Sequence, residues 1–198
     1  MTVVGITGGI GSGKTYVARL LASNYRIPVY DSDSEARRLM LEPQLRCRIE
    51  ALVGPEAYGS DGSLNKGAIA AFLFADASHA AAINGVVHPA VKADFRQWVA
   101  AQTAPVVGFE SAILVEAGFL DAVDCLVVVE APRPLRIRRA IQRDGASRRQ
   151  VLERISRQAP DDVRRAHADL VVCNDGRPIM PQLRIFMAEL LGKSAEKP

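Results

Sequence analysis

A glycine-rich loop near the amino terminus, residues 8–15 with the sequence GGIGSGKT, constrains this chain more than any other feature. It matches Gly-x-x-x-x-Gly-Lys-Thr, a phosphate-binding pattern. The loop follows an apolar run at Thr2–Thr7, which predicts a buried strand, and precedes a run at Tyr16–Ser23 with helical spacing. A chance glycine-rich turn does not explain these three parts together, so the sequence predicts a site for a nucleoside triphosphate.

The chemistry of this glycine loop follows from its residue types. Glycines let the backbone wrap around a phosphate with its N–H groups turned inward. The positive end of the following helix contributes only about 0.3–2 kcal/mol, so the Lys14 ammonium and a Mg²⁺ ion held by the Thr15 hydroxyl must supply the larger electrostatic share. The residues predicted to bind the nucleotide here are Gly9, Ile10, Gly11, Ser12, Gly13, Lys14, Thr15 and Tyr16.

Composition bounds the class of protein. The chain has 198 residues, of which 48% are apolar, as in an ordinary globular protein with a substantial core. We expect no signal peptide and no membrane-spanning segment. The three cysteines show no paired spacing, which favours a reducing compartment and predicts a cytoplasmic location.

Arginines concentrate in one part of the chain. The net charge is only +3, which does not require a nucleic-acid partner, but Arg133–Arg165 contains eleven arginines and four acids. These arginines either form a solvated helix face or include a few that face phosphates. Both interpretations stay open at this point.

Acidic residues follow the predicted strands. Asp31 and Asp33 come directly after a short strand at Ile27–Tyr30, and Glu110 ends a third strand that begins at Pro105. Ligands of open α/β sheets bind at the carboxyl ends of the strands, so these acids are candidates for a ligand site. Glu110 could organise a magnesium shell through water, whereas the alternative for each acid is a helix cap or turn cap.

Five short apolar segments alternate with helical patterns, so we expect an α/β fold with a five-stranded parallel sheet and helices on both faces. Residues 43–104 form a mainly helical insertion between the second and third strands, where we expect the acceptor of the phosphoryl group to bind by analogy with this fold class. Pro89 should kink or split a long helix in this insertion. Residues 192–198 should form a frayed tail.

Beyond the glycine loop, further elements follow in a characteristic order and spacing. They are Asp31-x-Asp33-x-x-Ala36-Arg37, Asp61-Gly62-Ser63-Leu64, His88-Pro89, Leu114-Val115-Glu116, Arg139, Arg143-Asp144, Gln158, Arg164, Ala168-Asp169 and Asn174. In this arrangement the chain resembles the dephospho-CoA kinase family over nearly its whole length, to about Gly176. The glycine loop is shared by many families, whereas the other elements are more specific.

The resemblance implies that ATP phosphorylates the ribose 3′-hydroxyl of dephospho-CoA. It implies a nucleotide core (residues 1–42, 105–132 and 167–198), a helical CoA-binding insertion (43–104) and an arginine-rich lid (133–166). It assigns catalysis to Lys14, Asp33 and Arg139, with Asp33 as the base or orienter of the hydroxyl. It places Arg143 at the ATP phosphates and Asn174 near the adenine. The acceptor-side residues that it implies are Asp31, Asp33, Arg37, His88 and Glu116, and either Asp31 or Glu110 would support the metal through water.

Four positions depart from the family pattern. Tyr16 replaces a small hydroxyl residue, and Ala112 stands where proline is common. Lys66 replaces an arginine, so a planar bidentate contact at that position is in doubt. Arg136 stands where glutamine is common, and the sequence leaves its role open.

Other functions remain as alternatives. The nearest is another P-loop kinase that acts on a small molecule or a nucleoside monophosphate. A nucleotide switch is disfavoured, because the chain has no Asn-Lys-x-Asp and no Asp-x-x-Gly element of a GTPase. The arginine-rich segment leaves a nucleic-acid-binding ATPase as a third alternative. We expect dephospho-CoA as the partner molecule, no nucleic acid, no membrane, and a monomer or weak homo-oligomer.

Overall fold

Five parallel strands form the sheet in the computed structural model, which describes residues 1–195. The strands are β1 (Thr2–Thr7), β2 (Val29–Asp31), β3 (Val106–Glu110), β4 (Cys125–Glu130) and β5 (Leu170–Cys173). They lie in the order β2-β3-β1-β4-β5, and every pair is parallel. The prediction of an α/β fold with a five-stranded parallel sheet is confirmed.

Within the described part of the chain, helices connect each consecutive pair of these strands except β3 and β4, and a further helix follows β5. They are α1 (Lys14–Tyr25), α2 (Ser32–Leu39), α3 (Pro43–Val53), α4 (Lys66–Ala75), α5 (Ala77–Ala100), α6 (Arg133–Asp144), α7 (Arg148–Ser156), α8 (Asp161–Ala166) and α9 (Met180–Ala195). Short 3₁₀ turns occur at Pro55–Ala57 and Leu120–Ala122. Among the helices described, none combines the length and the apolar character that a bilayer crossing needs.

The register of the sheet positions the candidate site. β1 lies between β3 and β4, and Val4 is opposite both Gly108 and Cys125. The glycine loop therefore leaves the carboxyl end of the central strand. On the next strands outward, Asp31 and Glu110 are register partners at the ends of β2 and β3. Parallel pairing thus brings the predicted acids to the same edge as the loop.

A buried apolar cluster packs α1 and α9 against the sheet. Val4 and Ile6 of β1 pack with Leu21 of α1 and with Leu183 and Met187 of α9, all of them almost completely inaccessible to solvent. Every residue of β3 is buried. A parallel sheet covered on both sides requires such continuous apolar strands, because no face is left to water.

The chain divides into two compact units. The first comprises Met1–Asp31 and all that is described from Ala101 onward, and the second is Ser32–Ala100. The second unit starts before the predicted insertion at residue 43, because α2 packs against α5. The roles predicted for the insertion and for the lid stay predictions.

Pro89 does not split the long helix of the second unit. Helix α5 is continuous from Ala77 to Ala100 with Pro89 inside it, so the split is wrong, and the alternative of a kink at Pro89 stays a prediction. A proline costs a helix interior about 3 kcal/mol. Buried residues on the same helix, among them Val87, Val91 and Phe95, offset that cost by packing against the rest of the unit.

Other element boundaries also differ from those predicted. Strand β2 starts two residues later than expected and includes Asp31. In the arginine-rich segment, the short helix α8 follows Pro160, where the sequence predicted no helix. Helix α9 runs on through residues 192–195 of the expected tail, and residues 196–198 lie outside the described part.

Candidate functional site

Two glycines give the loop its shape. Gly11 has φ +75° and Gly13 has φ +98°, a backbone conformation that side chains disfavour. A Cβ atom on Gly13 would lie 2.1 Å from Nδ2 of Asn174, and one on Gly11 would lie 2.2 Å from the Arg136 carbonyl oxygen. Both positions therefore require glycine for conformation and for space.

A cavity of about 250 Å³ opens beside the loop. It is lined by Gly11, Gly13, Lys14, Thr15, Arg139 and Arg143. Lys14 is only 8% exposed, although lysine is rarely buried without a reason. The structure thus brings together the loop, its lysine and the two arginines that the sequence predicted for the phosphates, and their charges make the cavity strongly cationic.

The donors around this cavity suit an anionic, oxygen-rich ligand. Within the described residues, the buried hydroxyls of Thr7 and Ser12 have no hydrogen-bond partner. Such unsatisfied buried groups are rare in folded proteins. Ser12 belongs to the loop itself, and the N-terminus of α1 adds backbone N–H groups and a positive dipole. A polar ligand in the loop is therefore consistent with the donors that it presents.

Asn174, the residue after β5, contacts the loop directly. Its Nδ2 donates a hydrogen bond of 2.8 Å to the Ser12 carbonyl oxygen. Arg139 donates to the Asn174 backbone oxygen at 3.1 Å and to its Oδ1 at 3.4 Å. Asn174 therefore links the loop to an arginine that lines the cavity, and its predicted place near an adenine stays a prediction.

Thr15 connects the loop to the acidic edge of the sheet. Its hydroxyl donates a 2.6 Å hydrogen bond to Oε1 of Glu110, which is buried at the end of β3. With its proton directed at the carboxylate, the Thr15 oxygen keeps its lone pairs for a cation. Hydroxyl and carboxylate oxygens are the ligands that Mg²⁺ prefers, and it usually keeps several waters. The donor set therefore fits the predicted ion, with Asp31 beside Glu110 in the register.

Arg143 is paired with an acid of its own helix. Its guanidinium donates to both carboxylate oxygens of Asp144, at 2.7 and 3.1 Å, and Arg154 donates to the same carboxylate at 2.7 Å. The hydrogen bond from Arg143 is the largest cause that lowers the pKa of Asp144, to about 2, with Arg154 adding to it. The Asp144 carboxylate is therefore charged at neutral pH, and it holds the Arg143 guanidinium in place.

Glu116 lies with other partners. Its Oε1 accepts a 2.5 Å hydrogen bond from the Ala159 backbone N–H and is 3.6 Å from Nη1 of Arg164. These described contacts hold the segment before α8, and they do not include the residues that line the cavity. The predicted role of Glu116 in acceptor binding stays a prediction.

The remaining predicted residues belong to the second unit, apart from Tyr16, which is 54% exposed on α1. Asp33 and Arg37 are one turn apart on α2, and α2 packs against α5, the helix that carries His88. Burial lowers the pKa of His88, so its ring stays neutral to a lower pH than an exposed imidazole. Arg37 is exposed.

Sequence reasoning gave no role to two residues that hold the loop. Gln158 accepts a 2.8 Å hydrogen bond from the Ile10 N–H and donates at 3.1 Å to the Ala112 carbonyl oxygen. Arg136 is 3% exposed and donates from Nε to the Ile10 carbonyl oxygen at 3.1 Å. The one signal for Arg136 was its departure from the family pattern, which marked the position without explaining it.

Sequence comparisons identify related proteins of known family. A sequence model of the family described as dephospho-CoA kinase matches residues 2–179. A dephospho-CoA kinase of Bacteroides fragilis (strain YCH46) is 45% identical over 193 residues, which cover 96% of this chain and 93% of that protein. One from Corynebacterium glutamicum is 36% identical over 181 residues, covering 89% and 92%.

Solved structures show the same architecture. A crystal structure from Thermus thermophilus has a TM-score of 0.82 at 34% identity and covers 96% of this chain and 97% of that chain. Dephospho-CoA kinase from Campylobacter jejuni has a TM-score of 0.68 at 16% identity, covering 96% and 98%. Shikimate kinase from Acinetobacter baumannii has a TM-score of 0.56, also at 16% identity, covering 100% and 96%. The last two show the fold alone.

Substituting Gly13→Ala tests how tightly the loop is packed. The added methyl group meets Asn174 at a backbone φ that alanine disfavours, so we expect a loss of about 1–3 kcal/mol in the free energy of unfolding. Gly192→Ala is the control, because Gly192 lies in α9 with open space around its Cβ position. Chemical denaturation of both variants measures the difference, and equal stability would contradict the close packing.

Proposed function

The chain belongs to the dephospho-CoA kinase family, and from this premise we propose how its residues transfer a phosphoryl group from ATP to dephospho-CoA, the last step of CoA biosynthesis. The observation that carries the proposal is the cationic cavity formed by the glycine loop, Lys14, Arg139 and Arg143. Phosphoryl transfer depends on alignment and charge stabilisation more than on covalent chemistry. A cavity of this composition suits the triphosphate of ATP.

On the ATP side, the loop N–H groups and the N-terminus of α1 bind the β- and γ-phosphates. The ammonium of Lys14 and the guanidinium of Arg139 offset the negative charge on the transferring group. A single well-placed arginine contributes about 10³–10⁵ in rate in such enzymes. Arg143 binds the phosphates from the same wall of the cavity.

The Thr15 hydroxyl would hold Mg²⁺, and Glu110 or Asp31 would support the ion through water. When bound, the ion neutralises part of the charge on the phosphate oxygens. The protein's own contribution is orientation: Glu110 accepts a hydrogen bond from the Thr15 hydroxyl and thereby directs the hydroxyl lone pairs. Residues outside the first coordination sphere often control metal affinity in this way.

On the acceptor side, Asp33 orients the ribose 3′-hydroxyl and accepts its proton as the hydroxyl attacks the γ-phosphorus. Asp31, Arg37, His88 and Glu116 support the acceptor. The Asp-x-Asp-x-x-Ala-Arg element at residues 31–37 and the family match to residues 2–179 support this assignment. General-base catalysis contributes roughly 10²–10⁴ in rate, so charge stabilisation contributes more to the acceleration than proton removal does.

In the cell, the protein acts in the cytoplasm as a monomer or weak homo-oligomer, without nucleic acid or membrane as a partner. Residues 43–104 bind dephospho-CoA.

Residues 133–166 act as a lid that excludes water from ATP, with Gly145 as its hinge. Gly145 ends α6 at φ +63°, and the space around its Cβ position is open. Excluding water is needed because an exposed γ-phosphate would hydrolyse.

Incubating the protein with ATP, Mg²⁺ and dephospho-CoA, and measuring product mass, tests the function. We expect CoA and ADP from the wild type, and a loss of more than about 10³ in kcat for Lys14→Ala because charge on the transferring group is no longer offset. The thermal unfolding transition should stay cooperative. A panel of other alcohol acceptors is run in parallel. Preference for another acceptor, or wild-type turnover by Lys14→Ala, would contradict the proposal.

The Glu110→Gln variant tests the metal assignment. The glutamine amide offers the Thr15 hydroxyl an uncharged oxygen as hydrogen-bond acceptor in place of a carboxylate. We therefore expect the Mg²⁺ concentration for half-maximal activity to rise about 10–100-fold. Glu130→Gln is the control, because Glu130 ends strand β4, which β1 separates from β3, and pairs with the exposed Arg165. Titrating Mg²⁺ at fixed ATP gives both values. Equal Mg²⁺ requirements in the two variants would remove Glu110 from the metal site.

Substituting Asp33→Asn and Asp31→Asn in parallel identifies the base. We expect Asp33→Asn to lower kcat by about 10²–10⁴, because an amide cannot accept the hydroxyl proton, with the calorimetric Kd for ATP unchanged. Asp31→Asn should cost less in kcat. A larger loss of kcat for Asp31→Asn would identify Asp31 as the base instead of Asp33. Loss of ATP binding in Asp33→Asn would show that Asp33 contributes to the nucleotide site and not to the acceptor site.

A further inference from the structure

We propose that Arg136 is a positioning residue for the nucleotide, and that it acts by holding the peptide between Ile10 and Gly11 in one orientation. The inference rests on the proposed function, since it assumes that the glycine loop binds ATP. It assigns a role to a residue that the family pattern left unexplained and that contacts none of the reacting atoms in the proposal.

The outer part of the loop is a tight turn. Ser12 N–H donates a 3.0 Å hydrogen bond to the Gly9 carbonyl oxygen, which closes a β-turn with Ile10 and Gly11 at its centre. Gly11 has φ +75°, the value that a type II turn requires at its third position. Rotation of the central peptide would convert the turn to type I, and glycine offers little steric resistance to that rotation. The turn therefore needs support from outside.

Side chains supply that support from both directions. Arg136 Nε donates to the Ile10 carbonyl oxygen at 3.1 Å, and the Ile10 N–H donates to Gln158 Oε1 at 2.8 Å. Because the peptide is planar and trans, the Gly11 N–H points opposite to the Ile10 carbonyl. The hydrogen bond from Arg136 Nε to the Ile10 carbonyl oxygen thus directs the Gly11 N–H away from Arg136. Gly11 is one of the residues that line the cationic cavity.

Arg136 also packs directly against the two glycines of the turn. A Cβ atom on Gly9 would lie 1.9 Å from Nη2 of Arg136, and one on Gly11 would lie 2.2 Å from the Arg136 backbone oxygen. The Ile10 side chain is buried with Ile137 of the same helix. Helix α6 therefore contacts the turn through the backbone and the side chain of Arg136 and through the side chain of Ile137.

The positive charge of Arg136 is compensated by Asp161, a residue outside the loop. Its Nη1 donates to both carboxylate oxygens of Asp161 at 2.9 Å, and Asp161 also accepts a hydrogen bond from Arg164, which is 2% exposed. Partial burial raises the pKa of Asp161, but the nearby Arg136 and Arg164 guanidiniums more than offset this, so its pKa is lowered overall. A charged Asp161 fixes the guanidinium plane and hence the direction of Nε.

Glutamine, lysine and methionine could each replace Arg136 only in part. Glutamine has one N–H donor group for the Ile10 carbonyl but no charge for Asp161. Lysine has the charge but no planar fork. Methionine fills a similar space with neither. Removing the donor should therefore weaken ATP binding specifically, because dephospho-CoA does not depend on the direction of the Gly11 N–H.

The test measures the calorimetric Kd for ATP with Mg²⁺ and the KM values of both substrates. For Arg136→Met we expect the Kd and KM for ATP to rise about tenfold, as for a lost hydrogen bond to a charged group. The KM for dephospho-CoA should change less than about twofold. Arg136→Gln should recover most of the ATP affinity. Arg138→Met is the matched control, since Arg138 is exposed on the same helix.

Three results would overturn the inference. They are an unchanged ATP Kd in folded Arg136→Met, equal rises in both KM values, and an ATP affinity of Arg136→Gln as low as that of Arg136→Met. If Arg136→Met does not fold, Asp161→Asn replaces it, because this change releases the guanidinium while keeping every group of Arg136. We then expect a rise of about threefold in the Kd for ATP, and an unchanged Kd overturns the inference.

Failure of the proposed function gives a different pattern. In that case the wild type and Arg138→Met would produce no CoA from dephospho-CoA and would not bind ATP in the calorimeter. The inference about Arg136 fails while the proposed function stands when both of these proteins are active and the Arg136 variants give any of the three results above.

Discussion

The loop between β1 and α1 must turn backbone N–H groups toward a phosphate, and a loop rich in glycine does not hold such a shape by itself. Each inward N–H is a group that secondary structure does not satisfy. The support comes from residues far away in the chain. Arg136 and Gln158 hold the two sides of Ile10, and Asn174 holds the Ser12 carbonyl. The rest of the site depends on this support.

The arginines of the arginine-rich segment differ in whether a carboxylate pairs with them. Carboxylates of the segment pair with Arg136, Arg143, Arg154 and Arg164 and hold their guanidiniums in place. Arg139 differs, because every contact described for it is with neutral oxygens of Asn174. Its charge is therefore not offset by an acid within those contacts. Arg139 lines the cavity, so its guanidinium is suited to pair with a negatively charged phosphate group of a ligand.

The sequence predicted the loop, the sheet and the acids at its edge because each depends on local patterns. Strand β1 and helix α1 follow from residue periodicity, and the ligand edge follows from parallel pairing. The unbroken course of helix α5 did not follow from the sequence, because Pro89 allowed either a kink or a split. The resemblance supplied roles for Asp33, Arg37 and His88, and these roles stay predictions. Helix α8 and the boundary of the second unit were also missed.

What the sequence determined by itself was the kind of chemistry: a phosphate-binding loop on the central strand of a parallel sheet, with acids on the neighbouring strand ends. Only the tertiary structure decided which distant side chains keep that loop in its working shape. Arg136 is separated from Ile10 by 126 positions and Asn174 from Ser12 by 162. Contacts over such separations are set by how α6 and β5 pack beside the loop, and no local pattern in the chain encodes them.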